Sequence, residues 1–156
     1  MDYAALLAEI QANPDCAPHI VPSVPKVDVA IAVAHDLAIA DILSVGRTRI
    51  ASRSLSERAI LAEYPAGPVA ADAVLVKLET YASAGQPLSS VLNRALRLLR
   101  DPEGLDFGAA AVRSMLDALA AAGAITGDES AALQGLALTP DPVTAADVSR
   151  AVRGPH

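Results

Sequence analysis

Aromatic side chains are scarce in this sequence: three tyrosines, one phenylalanine and no tryptophan among 156 residues. A core without large rings must be filled by Ala, Leu, Val and Ile, which favours closely packed helices but buries less apolar area per residue. Cysteine occurs once, as Cys16. No internal disulfide can form, and a lone thiol fits a reducing compartment or a particle assembled in one. Positive charge is in deficit, 12 basic against 18 acidic residues for a formal net charge of −6. That balance argues against a general nucleic-acid-binding surface, which needs a basic footprint. Long uninterrupted apolar runs are also missing: the most apolar stretch, Val27 to Val45, is broken by Asp28, His35, Asp36 and Asp41. The N-terminus lacks the basic start and apolar core of a secretory signal, so neither a membrane span nor an export signal is expected.

Catalytic signatures are missing too. There is no G-x-S-x-G elbow, G-x-G-x-x-G fingerprint, phosphate-binding G-x-x-x-x-G-K-[ST] loop or H-E-x-x-H pair. A Ser–His–Asp triad would have to recruit His19, His35 or His156, none of which lies in a recognisable pattern. Asp128 and Glu129 read as first-turn helix residues rather than as an acid and a base. The spacing of Cys16 and His19 is that of two ligands to one metal ion, but a zinc site normally needs three protein ligands. The expectation is no enzyme, no cofactor and no metal.

What the sequence does contain is helix grammar. Asp2 is placed to cap a first helix to about Asn13, with Leu6, Leu7 and Ile10 on one side and Pro14 as its stop. Prolines 14, 18, 22 and 25 then predict an extended connector over 14–26. Val27, Val29, Ile31 and Val33 alternate like a strand, while Ala30, Ala32 and Ala34 favour a helix; the run continues to Leu43 and stops at Gly46, and its length selects helix. Arg47 to Arg53 reads as a connector with a brief extended piece near Ile50, and Ser54 with Glu57 as a capping box.

The second half repeats this punctuation. Ala71, Val74, Leu75, Leu78 and Ala82 line one helix from about Pro68 to Gly85, and Leu88, Val91, Leu92, Ala95 and Leu99 line the next, which should lie antiparallel to it. Val112, Met115, Leu116 and Leu119 form a third stripe ended by Gly123, followed by a capping box at Thr126 and Glu129. Thr144 caps a last helix, with Val143 and Val148 at the positions of a hydrophobic staple. The expected fold is all-α: a small irregular bundle of short amphipathic helices, divided into an N-terminal helix (1–13), a Pro-rich connector (14–26) and a helical domain (27–153).

Two surfaces qualify as contact sites. Leu6, Leu7 and Ile10, set apart by the connector, form an apolar face able to dock onto a partner. Arg47, Arg49, Arg53 and Arg58 form the one basic cluster, suited to phosphate or to a carboxylate-rich partner, though without the interleaved aromatics or groove-reading motif of a nucleic-acid binder. Arg94, Arg97 and Arg100 need no ligand, because a helix C-terminus favours positive charge.

Asp41-Ile-Leu-Ser-Val-Gly-Arg-Thr-Arg-Ile-Ala-Ser-Arg53 and Met115-Leu-Asp-Ala-Leu-Ala-Ala-Ala-Gly-Ala-Ile-Thr-Gly-Asp-Glu129, continuing through Leu136, resemble small helical proteins encoded among the late structural genes of tailed bacteriophages, near the tail-tip and fibre genes. With Tyr3 to Gln11, the resemblance covers about a third of the chain, and the helix–Gly–capping-Thr–helix pattern within it also describes generic helical hairpins. The resemblance implies a noncatalytic virion-associated structural or adaptor protein of the tail or fibre, assembled in the host cytoplasm and contacting other phage structural proteins or copies of itself. A phage-encoded cytoplasmic assembly or regulatory factor is the alternative it leaves open.

Overall fold

The computed structural model describes residues 1–21 and 29–154. In chain order the elements are α1 (Tyr3–Ala12), a 3₁₀ turn (Ala17–His19), α2 (Val29–Ser44), β1 (Thr48–Ile50), β2 (Ser54–Leu55), α3 (Glu57–Glu63), α4 (Pro68–Ser83), α5 (Ser89–Arg100), β3 (Leu105–Asp106), α6 (Ala110–Ala121), α7 (Gly127–Gly135), β4 (Leu138–Pro140) and α8 (Ala145–Arg153). Helices dominate, but the fold is not purely all-α. β1 pairs with β4, and β2 pairs antiparallel with β3, placing Ser54 opposite Asp106 and Leu55 opposite Leu105. These strands are two or three residues long and carry no apolar alternation for a sequence reading to detect; they satisfy backbone groups of connectors that would otherwise lack partners.

The chain forms two compact units, one from Met1–Arg49 with Pro140–His156 and one from Ile50–Thr139. This division differs from the expected 1–13, 14–26 and 27–153. The first unit is assembled from both ends of the chain, which pattern analysis along the sequence has no means of joining.

In the first unit, α8 packs on both α1 and α2. Leu6 and Ile10 of α1, Ile39, Ala40 and Leu43 of α2, and Val143, Val148 and Ala151 form one buried cluster with Cys16. Asp2 caps α1 by accepting from the Ala4 and Ala5 amides. Thr144 caps α8 in a reciprocal box with Asp147, and both staple valines are buried as the pattern predicts. Where the two chain segments meet, the Asp141 amide donates to the Arg47 carbonyl, and the Ser44 hydroxyl accepts from the Val143 amide. The described part of the Pro-rich stretch is not an extended tether. A turn and the 3₁₀ helix fold it back so that Cys16 enters the core, with Ile20 packed against the cluster; residues 22–26 of the expected connector, and the start of the ambiguous 27–33 run, lie outside the described residues. From Val29 onward that run is helical, as its length predicts.

The second unit is built on α3 against α4, α4 against α5 and α6 against α7. All five expected core residues of α4 are buried. α4 and α5 run antiparallel: the Ala82 carbonyl accepts from Asn93, while Glu79, one turn earlier, pairs with Arg100. In α5 the stripe is shifted from the expected one, since Leu96 is buried and Val91 is half-exposed. The helix starts at Ser89, just after Leu88, and its buried face centres on Leu92, Leu96 and Leu99. The capping box at Thr126 and Glu129 forms. The one expected at Ser54 does not. Ser54 is held in the β2–β3 pair, and Ser56 caps α3 instead by accepting from the Ala59 amide.

Asp106 organises this strand pair. Its carboxylate accepts from the Ser52 hydroxyl at 2.7 Å, the Arg53 amide at 2.8 Å and the Gly108 amide at 2.9 Å. The chain on either side of it approaches the backbone of β2 and of the residues flanking it so closely that only glycine fits. A Cβ on Gly108 would sit 1.9 Å from the Ala51 carbonyl oxygen, and one on Gly104, whose φ is +73°, would sit 2.4 Å from the Leu55 carbonyl carbon. Gly108→Ala should therefore destabilise the second unit by about 3 kcal/mol or more. Denaturant unfolding measures this, with Gly127→Ala, which meets no atom within 4 Å, as the control.

The capping and strand-pair carboxylates also predict acid sensitivity. The hydroxyl of Ser52 holds the Asp106 carboxyl below the usual range, with the Arg53 amide next in effect; Lys77 does the same for Glu129, and Thr144 for Asp147. A carboxyl with a depressed folded-state pKa contributes stability that is fully present above its unfolded value, about 4, and is lost as pH falls through the lower folded value. The contribution of these carboxylates should be constant above about pH 5, and the thermal midpoint should fall steadily below about pH 4. Asp106→Asn should flatten that acid limb.

Candidate interaction surfaces

The apolar residues of α1 are already covered. Leu6 and Ile10 are buried in the core of the first unit, and Leu7 is half-buried against it. The sequence correctly marks these positions as a face that needs covering. The covering surface is α8 and α2 of the same chain, so the proposed partner-binding role of Leu6, Leu7 and Ile10 gives way to a core role.

The four arginines divide between the units, and three of them face acids. Arg47 donates to Glu9 at 2.8 Å and to Asp141 at 3.4 Å, and the hydrogen bond to Glu9 is the main reason its guanidinium is held more basic than usual. Arg49 lies 3.9 Å from Asp141. Together with Met1 and Asp2, these residues line an open groove in the first unit. In the second unit Arg53 pairs with Glu63 and donates to the Leu136 carbonyl at 2.8 Å. Arg58 is exposed and makes no ion pair among the described residues. Internal acids thus face three of the four arginines. Such exposed pairs contribute about 0–1 kcal/mol each.

The surface that periodicity misses is the outer side of α2. Asp36, Ile39, Ala40 and Leu43 face inward, and Asp36 pairs with Arg153 of α8. The opposite arc, running through Val33, Leu37, Ala30, Ala34 and Ile31, is also apolar, with Asp41 as its only charge. Val33, Leu37 and Ile31 are 47%, 50% and 53% exposed, and Val29 at the helix start is 75% exposed. A helix that is apolar all round is normally enclosed on all sides. Here one side is enclosed and the other faces solvent, so the strand-like Val-Ala alternation in the sequence reflects a helix with two apolar sides. Among the described residues no helix is long and apolar enough to cross a membrane.

The structure also joins two histidines that the sequence leaves unrelated. His19 at the end of the 3₁₀ turn and His35 on α2 place their Nδ1 atoms 3.3 Å apart. Cys16, three residues before His19, instead points into the core, and burial above all, then Asp15 and Glu9, pushes its thiol pKa up. A protonated, enclosed thiol is a poor nucleophile and a poor ligand. Among the described residues no group of three or more His, Cys, Asp or Glu side chains could hold a metal ion. His156 lies outside the described residues.

No protein-family model, curated protein or solved structure matches this chain.

The two roles considered for α1 separate cleanly by experiment. Ile10→Asp places a charge at a site with no solvent exposure, and should cost the first unit about 3 kcal/mol or more and lower far-UV helicity. A variant with wild-type helicity and thermal midpoint would return α1 to the role of a docking element.

Proposed function

We propose that this protein is a noncatalytic interaction component that docks onto another protein subunit through the outer face of α2. The observation that supports this is the exposure of Ile31, Val33 and Leu37 on a helix whose other side is already packed. Isolated exposed apolar residues are ordinary, but several on one arc of one helix form the kind of patch that marks a contact surface. Enclosing each of these half-exposed side chains would contribute about 1 kcal/mol, enough together to give a specific helix-in-groove contact.

The setting comes from the resemblance to proteins of phage tail-tip and fibre regions. On that basis the chain is an adaptor or accessory part of a tailed-phage tail or fibre, assembled in the host cytoplasm and carried in the virion. Its partners are other structural proteins of the particle or further copies of itself.

The test is incorporation into purified particles, followed by quantitative peptide mass spectrometry. Wild-type chain should be present at reproducible stoichiometry, and Val33→Asp with Leu37→Asp should reduce it at least tenfold. The variant's thermal midpoint should stay close to wild type, since surface changes away from packed features shift stability by about 0.5 kcal/mol or less. Wild-type chain found in infected-cell lysate but not in particles would replace the virion assignment with a cytoplasmic assembly or regulatory factor.

A further inference from the structure

We propose that His19 and His35 form a two-histidine binding site for one transition-metal ion of the imidazole-preferring kind, with zinc as its representative. The two Nδ1 atoms are 3.3 Å apart and the ring centres 5.5 Å apart, with the ring planes inclined by 48°. An ion bound by imidazole nitrogen at 2.0–2.1 Å in tetrahedral geometry holds two such nitrogens about 3.3 Å apart. A square-planar cis pair at the same bond length would bring them to about 2.9 Å, so the spacing favours a tetrahedral ion.

Without metal, this approach is a hydrogen bond from one Nδ1–H to the other Nδ1, which requires the two rings to be in different tautomers. Metal binding requires both Nδ1 lone pairs, so the donor ring moves its proton to Nε2 and the ion takes the place of the shared hydrogen. Both rings are half-buried, so water or an outside donor can fill the remaining coordination positions. No third ligand is supplied by Cys16, which is fully enclosed in the core and disfavoured as a thiolate. A site with two protein ligands binds more weakly than a closed structural zinc site and keeps positions open for exchange.

The two ligands are 16 residues apart in sequence, one in the 3₁₀ turn and one on α2. An ion held by both would close that loop, and because it binds only the folded arrangement it would stabilise the first unit by mass action. Calorimetric titration of the full chain with zinc sulfate should give saturable binding of one ion per chain and a zinc-dependent rise in thermal midpoint. His19→Gln and His35→Gln should each weaken binding at least tenfold, with far-UV circular dichroism confirming that both variants fold. His156→Ala should leave affinity unchanged. Wild-type protein that shows no saturable binding would overturn the site, as would equal affinity in the double glutamine variant. Binding that survives both histidine substitutions but disappears in Cys16→Ser would assign the ion to the thiol and overturn the histidine pair.

Discussion

Val148 is fully buried among residues from both α1 and α2, and the return of α8 to that position is the contact on which the first unit depends. α8 packs on each of the other two helices, so it completes a core that neither could form with its neighbour in sequence. The buried Asp36–Arg153 pair ties α2 to the same helix. Such a pair adds little net stability over an apolar substitute, but removing one partner strands a charge in the core and costs about 3–5 kcal/mol. The contact also joins the last residue of α8 to the middle of α2.

That closure sets the organisation of the rest of the chain. Ile50–Thr139 is an insertion within a unit made from the two chain ends, and loop-closure entropy rises only slowly with the length of an insert. The insert carries its own core, which includes Tyr64 and Phe107, while among the described residues the core of the first unit has no fully buried aromatic side chain. With so few aromatics in the chain, the larger side chains go to the longer continuous segment. The first unit compensates with reciprocal capping, a polar tie between α2 and α8, and Cys16 drawn into its cluster.

Helix positions were largely legible because their signals are local. Asp2, Thr126 and Thr144 cap where the sequence places them, and the α4 stripe from Ala71 to Ala82 is buried residue for residue. Ser54 and Ser56 show the limit of such signals: both precede a helix at plausible spacing, and only the pairing of Ser54 with Asp106, contributed from a distant part of the chain, decides between them. The strands escape detection for the same reason, as does the meeting of His19 with His35. The spacing of His19 in sequence points to Cys16, which is enclosed in the core, and not to His35; the turn that aims His19 at α2 lies within a Pro-rich stretch whose composition suggests extension.

The surfaces were harder to identify, because amphipathicity reports which residues need covering and not which chain covers them. α1 illustrates one error: its apolar face was separated by prolines from everything near it in sequence, yet the far end of the chain covers it. α2 illustrates the opposite. Having apolar residues on all sides, it has no polar face to mark an outside, and periodicity alone assigns neither side to the core. The inward side becomes identifiable only through Asp36, a carboxylate that would be costly to bury without Arg153. Once that pair fixes the inner side, the exposed arc through Val33, Leu37 and Ile31 has only Asp41 to solvate it, where α5 carries Arg94, Arg97 and Arg100 on its own outer face. Solubility favours charge on an exposed helix face, and α5 follows that rule while α2 does not. The contrast between two helices of one chain, one dressed for water and one not, is what supports the proposal that α2 docks onto a partner.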